Sequence, residues 1–256
     1  MAVVDAGNAL AVEVTRAIRA GDVTALRKLL DAHPGLAATG IRQEGEAAGT
    51  RSLLHLATDW PGHLPSAPEV IATLVAAGAD PNARFVGAHS ETPLHWAASN
   101  DDVAALDALV AAGADIEATG AVIGGGTPLA DARGFGQWRA ARRLLEHGAR
   151  TTLQDAATLG LLDRVTAFVE GGTERAEGLA GAESGPPDAD DITSAFWGAC
   201  HGGQLATARY LAGRGADLDW IGYDGMTPLD IAEASGAADV AGWLRGQGVR
   251  TRTESP

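Results

Sequence analysis

Apolar residues between Glu91 and Ala118, in the stretch ETPLHWAASNDDVAALDALVAAGADIEA, fall into two short sets separated by a polar turn. Leu94, Ala97 and Ala98 recur at three- and four-residue steps and predict one lean helical face. Val103, Leu106, Leu109 and Val110 repeat that spacing and predict a second helix. Thr92 supplies an N-cap oxygen for the first helix, and Pro93 takes the first helical position, where a missing N–H does no harm. Gly113 stands where a helix ends on a left-handed residue. Two such helices cannot bury their apolar faces against each other alone, so they need neighbours of the same shape on both sides.

Imperfect copies of this pattern recur along the chain. The predicted copies span residues 12–34, 52–80, 92–115, 127–150, 151–172, 194–217 and 227–250. The first is worn, with Val12 at its start and Pro34 after it, as expected of an end copy with water on one side. Residues 35–50 read as a polar connection. The second copy is five residues longer from cap to glycine than the third, and the surplus lies in PGHLP, Pro61 to Pro65, whose prolines predict a rigid inserted loop. Thr151 follows Gly148 by only three residues, which leaves no room for a hairpin before the fifth copy. Residues 173–192, rich in Gly, Ala, Pro and acids, read as an acidic loop, and the tail TRTESP as a frayed end.

TPLHWAA, GTPLADA and DGMTPLDIA, together with Gly-Ala-Asp at Gly78, Gly113 and Gly215, resemble the ankyrin repeat, whose period is about 33 residues with a T-P-L-H-x-A signature. The run is also similar to bacterial ankyrin repeat proteins of actinobacterial style, a narrower likeness that brings no activity with it. The resemblance implies an all-α solenoid of about seven helix-turn-helix copies with short hairpin fingers, forming a single domain over residues 1–256. It also implies recognition of a protein partner on a concave face built from finger tips and the ends of the first helices. Carried over by position, the finger sites are His89, Glu91, Tyr223, Asp224 and Met226, and the helix-end sites are Asp59, Trp60, Ser99, Asn100, Phe135 and His201.

Charge and composition narrow the partner. A formal charge of −14 argues against a broad grip on nucleic acid, which depends on Lys and Arg displacing phosphate counterions, and suits a basic or neutral partner. Acidity also keeps an alanine-rich stack soluble without any further role. No apolar run approaches the ~18 residues of a membrane span, and the N-terminus carries Asp5 where a secretory signal would be apolar. One cysteine, Cys200, excludes an internal disulfide framework and fits a reducing cytoplasm.

Candidate chemistry is sparse. The resemblance gives His55 and His95 the imidazole that ties neighbouring turns together, and His33 and His147 sit near helix ends. His63 and His89 fall on loops, and with Asp59, Trp60, Glu91 and Asn100 they could form a polar pocket beneath the PGHLP insertion, the alternative being a solvated rim. That pocket defines a second reading, a small-molecule-binding or enzymatic ankyrin protein. His63, His89 and Glu91 lack any spacing that marks a metal site, and no catalytic residue or cofactor is assigned. Cys200 replaces a small motif alanine, which favours packing over catalysis with the adjacent His201. Asp131 and Asp155 follow their caps by four residues, where Trp96 and Ile231 stand in other copies. A buried acid there needs Arg133, Arg139 or a backbone amide, or else the two acids share a proton. Trp138, Trp197 and Trp243 read as core, and Trp60 and Trp220 as binding anchors. Gly124 to Gly126 form a flexible finger and lack the frame of a phosphate loop.

Overall fold

The computed structural model describes residues 2–45, 48–171 and 187–253. It is mostly helical and divides into two compact units, Met1–Ala149 and Arg150–Pro256.

In the first unit, four helix pairs follow one another: α1 (Ala9–Arg19) with α2 (Val23–Ala32), α3 (Leu53–Ala57) with α4 (Ala67–Ala76), α5 (Pro93–Ser99) with α6 (Val103–Ala111), and α7 (Pro128–Gly134) with α8 (Trp138–Glu146). The first helices touch in the series α1, α3, α5, α7, and the second helices in the series α2, α4, α6, α8. Each pair therefore buries its apolar face on the next, with Leu26, Leu53, Leu54, Leu74, Leu94, Leu106, Leu129 and Leu144 fully enclosed. Gly113 ends α6 at φ +90°, the left-handed stop that the sequence predicts.

Three strands depart from the all-α expectation. β1 (Val3–Asp5) pairs parallel to β2 (Gly40–Gln43), which pairs antiparallel to β3 (Gly49–Ser52). The segment read as a polar connection thus holds two strands and a short 3-10 turn, Leu36–Ala38. Ile41, Thr50 and Ser52 turn inward and are buried, which gives these strands a core side that their glycines and charges obscure in the sequence. The first helix also begins ahead of Val12, because Asn8 caps it through Leu10 N at 2.9 Å.

The second unit holds three helix pairs: α9 (Leu153–Thr158) with α10 (Leu162–Glu170), α11 (Ala189–His201) with α12 (Leu205–Ala212), and α13 (Pro228–Ala234) with α14 (Ala238–Gly246). Phe196, Trp197, Cys200, Leu211, Leu229 and Leu244 form its core. The burial of Cys200 pushes its thiol far above the usual range, so the cysteine packs and is not a thiolate nucleophile. Most of the predicted acidic loop, residues 173–186, lies outside the described residues. Its end is helical instead: Asp188 accepts from Asp191 N at 2.9 Å and opens α11 at Ala189.

The caps reveal a repeated device. His55 sits at the third position of α3, where Nδ1 accepts from Ser52 N at 3.2 Å and Nε2 donates to the Glu91 carbonyl at 3.1 Å. His95 does the same with Thr92 N at 3.0 Å and the Gly126 carbonyl at 3.4 Å. Each ring closes its own cap and reaches the residue just before the next cap. Trp197, the ninth residue of α11, takes no part in its helix's cap, which Asp188 and Asp191 close, but makes the bridging half of the device: its indole N–H donates to Met226 O at 3.1 Å, again one residue before a cap, Thr227. Asp155 is also a capping residue. Thr152, one place later than predicted, caps α9, and Asp155 Oδ2 accepts from Thr152 N at 2.9 Å and from its hydroxyl at 2.7 Å. The acid answers its own helix end and has no need of a shared proton.

Candidate functional site

In the first unit the loop-and-first-helix face carries a cleft of about 540 Å³, lined by Arg51, Asp59, Trp60, Glu91, Trp96, Ser99, Asn100, Val122, Phe135 and Gln137. Three consecutive helix pairs contribute. Arg51 and Glu91 immediately precede the caps Ser52 and Thr92, while Asp59, Asn100 and Phe135 lie at the ends of the short helices α3, α5 and α7. Because those helices are only five to seven residues long, their ends and the preceding connectors reach the same surface.

The PGHLP insertion closes onto the α5–α6 turn. His63 N donates to Asp102 Oδ2 at 2.6 Å, and His63 Nε2 donates to Asn100 O at 3.1 Å. Gly62, at φ +74°, lies so close to Asn100 that an added Cβ would sit 2.8 Å from the Asn100 Cβ. The loop therefore presents Trp60, 80% exposed, at the cleft mouth and keeps the His63 ring out of it. Phe135 stands at the mouth as well, 47% exposed.

Charges inside the cleft are unequally answered. Asp59 Oδ2 accepts from Arg51 at 3.1 Å and from Arg19 at 2.8 Å, and the Arg51 guanidinium lies 5.4 Å from the centre of the Trp96 ring. Trp96 packs edge-on against His55 at 4.8 Å and at a tilt on Phe85 at 5.6 Å, which fixes its ring. Glu91 is only 8% exposed, and burial raises its carboxyl above the usual carboxylate range against the opposing hydrogen bond from Trp96. Among the described residues no Arg or Lys side chain pairs with it. Behind it Asp131 is fully enclosed, with Oδ1 accepting from Ile123 N at 3.0 Å and Oδ2 left without a hydrogen bond. Burial, with the Glu91 charge adding to it, raises Asp131 to about 7.

Of the residues expected at a site, the cleft brings together Asp59, Trp60, Glu91, Ser99, Asn100 and Phe135. It does not include His63 or the exposed His89. Glu91 is a buried floor residue and not a finger tip. The pocket predicted beneath the insertion is replaced by a cleft beside it, because His63 spends its ring on the Asn100 carbonyl. His201, Trp220, Tyr223 and Asp224 lie in the second unit, where Tyr223 meets Trp197 at 5.2 Å and Trp220 at 5.8 Å, and His201 Nδ1 bonds Ser235 Oγ at 3.0 Å. Trp220 is partly buried there, Trp243 packs half-buried against the core with its ring 6.3 Å from Phe196, and Trp138 is half-buried at the start of α8. Among the described residues no three His, Cys, Asp or Glu are grouped to hold a metal ion.

Sequence reasoning missed Arg51, Trp96, Val122 and Gln137. The usable signal was position: Arg51 precedes its cap as Glu91 does, so the same place in successive copies supplies the cleft's charges.

Residues 67–155 match a family model described as ankyrin repeats, in three copies. This segment carries ankyrin repeats. The ankyrin segment supplies Glu91, Trp96, Ser99, Asn100, Val122, Phe135 and Gln137, while Arg51, Asp59 and Trp60 precede it. No curated protein matches the chain. Ankyrin repeats are generally protein-interaction modules, and no helix among the described residues is long and apolar enough to cross a membrane.

Proposed function

We propose that this chain is a non-catalytic recognition module whose partner is a protein, bound where connectors and first-helix ends meet in the first unit. His55 before residues 67–155 makes the same capping device, α13 after them opens on Thr-Pro-Leu with its cap closed by Asp230, and in this reading the helix pairs on either side belong to the same repeat series, in a bacterial protein of the cytoplasm. One observation carries the proposal: Trp60, Trp96 and Phe135, from three successive pairs, line a single cleft on the face where the ankyrin resemblance implies recognition. Exposed aromatic residues beside buried polar groups are the composition of binding hot spots.

A small molecule is the second reading, favoured by a cleft volume within the range of ligand pockets. Affinity capture with the full chain, with parallel analysis of bound proteins and metabolites, separates the two. Recovery of a protein that is lost from a Trp60→Ala/Phe135→Ala variant supports the first. Recovery of a metabolite alone, lost from the same variant, replaces it with the second.

A further inference from the structure

The cleft holds an acid, Glu91, with which no Arg or Lys side chain pairs among the described residues. Arg51 is paired through one terminal nitrogen with Asp59, which Arg19 also contacts, although its Nε makes no hydrogen bond. Glu91 has the Trp96 indole as its side-chain donor, and the charged group acting on it is the exposed His89. Asp131, immediately behind, is influenced by Glu91 and Arg133, and one of its oxygens has no hydrogen bond. Two buried acids thus share a region in which Arg51 is paired with Asp59 and Arg133 acts on Asp131.

The walls have matching chemistry. Trp60, Trp96 and Phe135 present aromatic rings around the Glu91 floor, and Ser99, Asn100 and Gln137 provide polar edges. A ring face attracts a cation through its quadrupole, and a desolvated acid at the base adds direct attraction. A carboxylate ligand would instead meet Asp59 and Glu91, both unfavourable neighbours. The volume of about 540 Å³ accommodates a long side chain together with the adjoining peptide backbone.

We infer that the cleft receives the basic side chain, arginine or lysine, of an extended segment of the partner protein, with Glu91 on its floor as the ion-pairing group and Trp60 and Phe135 flanking the cation at its mouth. The inference rests on the recognition reading above. It names what that surface selects and accords with a chain of net charge −14, which draws basic segments toward it. Binding of the cation favours the ionised form of Glu91, so the complex forms with proton release and tightens as pH rises.

Selection of a random peptide library on the full chain tests this. Enriched peptides are expected to share an arginine or lysine. Replacing that residue by citrulline or norleucine, or Glu91 by Gln in the protein, is expected to weaken binding by about tenfold or more, and the two changes together by little beyond either alone. Wild-type affinity rises with pH, whereas the Glu91→Gln variant loses the part of that rise due to Glu91 and keeps only what the neighbouring Asp131 contributes. Peptides that depend on Trp60 and Phe135 yet carry no basic residue, or keep their affinity in folded Glu91→Gln, overturn the inference and leave the recognition reading standing. Enrichment of no peptide, or of peptides indifferent to Trp60→Ala/Phe135→Ala, overturns both. Should Glu91→Gln fail to fold, the peptide substitutions and the wild-type pH profile still decide.

Discussion

Asp131 and the histidines at the caps pull the stability of this protein in opposite directions as pH changes. His55 and His95 are buried and neutral, each lowered by burial from 6.5 to about 4, so the unfolded chain takes up two protons that the folded chain refuses. Their contribution is complete above 6.5 and is lost as pH falls toward 4. Asp131 behaves inversely: raised from 3.8 to about 7, it holds a proton in the folded state that the unfolded chain has released. Its contribution is complete below 3.8 and is lost as pH rises through 7. Between these limits the three groups together leave a net rise of stability with pH of about one proton, or 1.4 kcal/mol per pH unit. An Asp131→Asn variant removes the opposing group, so its stability should rise about twice as steeply over the same interval. Urea melts at successive pH values measure both slopes, and equal slopes would show that Asp131 is ionised in the folded protein.

At the scale of elements, the cap-and-bridge device explains both what the sequence disclosed and what it hid. Thr-Pro-Leu-His predicts a capped helix whose ring reaches the next copy, and His55 and His95 do so. The long side chain of Trp197 supplies the bridge alone from α11, as its bond to Met226 shows. Loss of that bond in Trp197→Phe should cost about 1 kcal/mol, read as a lower denaturant midpoint. The helix pairs were legible because their period is fixed by packing, and Thr92, Gly113 and Gly215 mark their ends. β2 and β3 were not, since Gly40 and Gly49 carry no strand signal and their pairing joins residues distant from β1 in sequence. The register of α9 slipped by one because Thr151 and Thr152 are both capable caps, and only the Asp155 hydrogen bonds choose between them. The cleft was half legible: helix-end positions named Asp59, Trp60 and Phe135, but the insertion's fold depends on His63 and Gly62 meeting Asn100, a contact between two copies. Gly62→Ala, which forces a side chain into a left-handed residue against Asn100, should destabilise by about 1–2 kcal/mol and displace Trp60 from the cleft mouth. Thermal melts, with tryptophan emission as a second readout, follow both effects.

Over the whole molecule, acidity is unevenly useful. Most of the −14 charge is solvated surface, whereas Glu91 and Asp131 are acids held in the interior of the proposed binding face. Surface charge speeds encounter with a basic segment and is screened by salt, while a desolvated pair at Glu91 is screened far less. Raising ionic strength should therefore slow association of the partner strongly and change its dissociation little, as surface plasmon resonance would show. The location of binding is the claim on which the rest depends, and backbone hydrogen exchange of the full chain with and without its partner tests it most directly. The account predicts added protection at residues 58–63, 91–100 and 122–137, with no change along the second helices α4, α6 and α8. Protection confined to those second helices, or to residues 187–253, would contradict it.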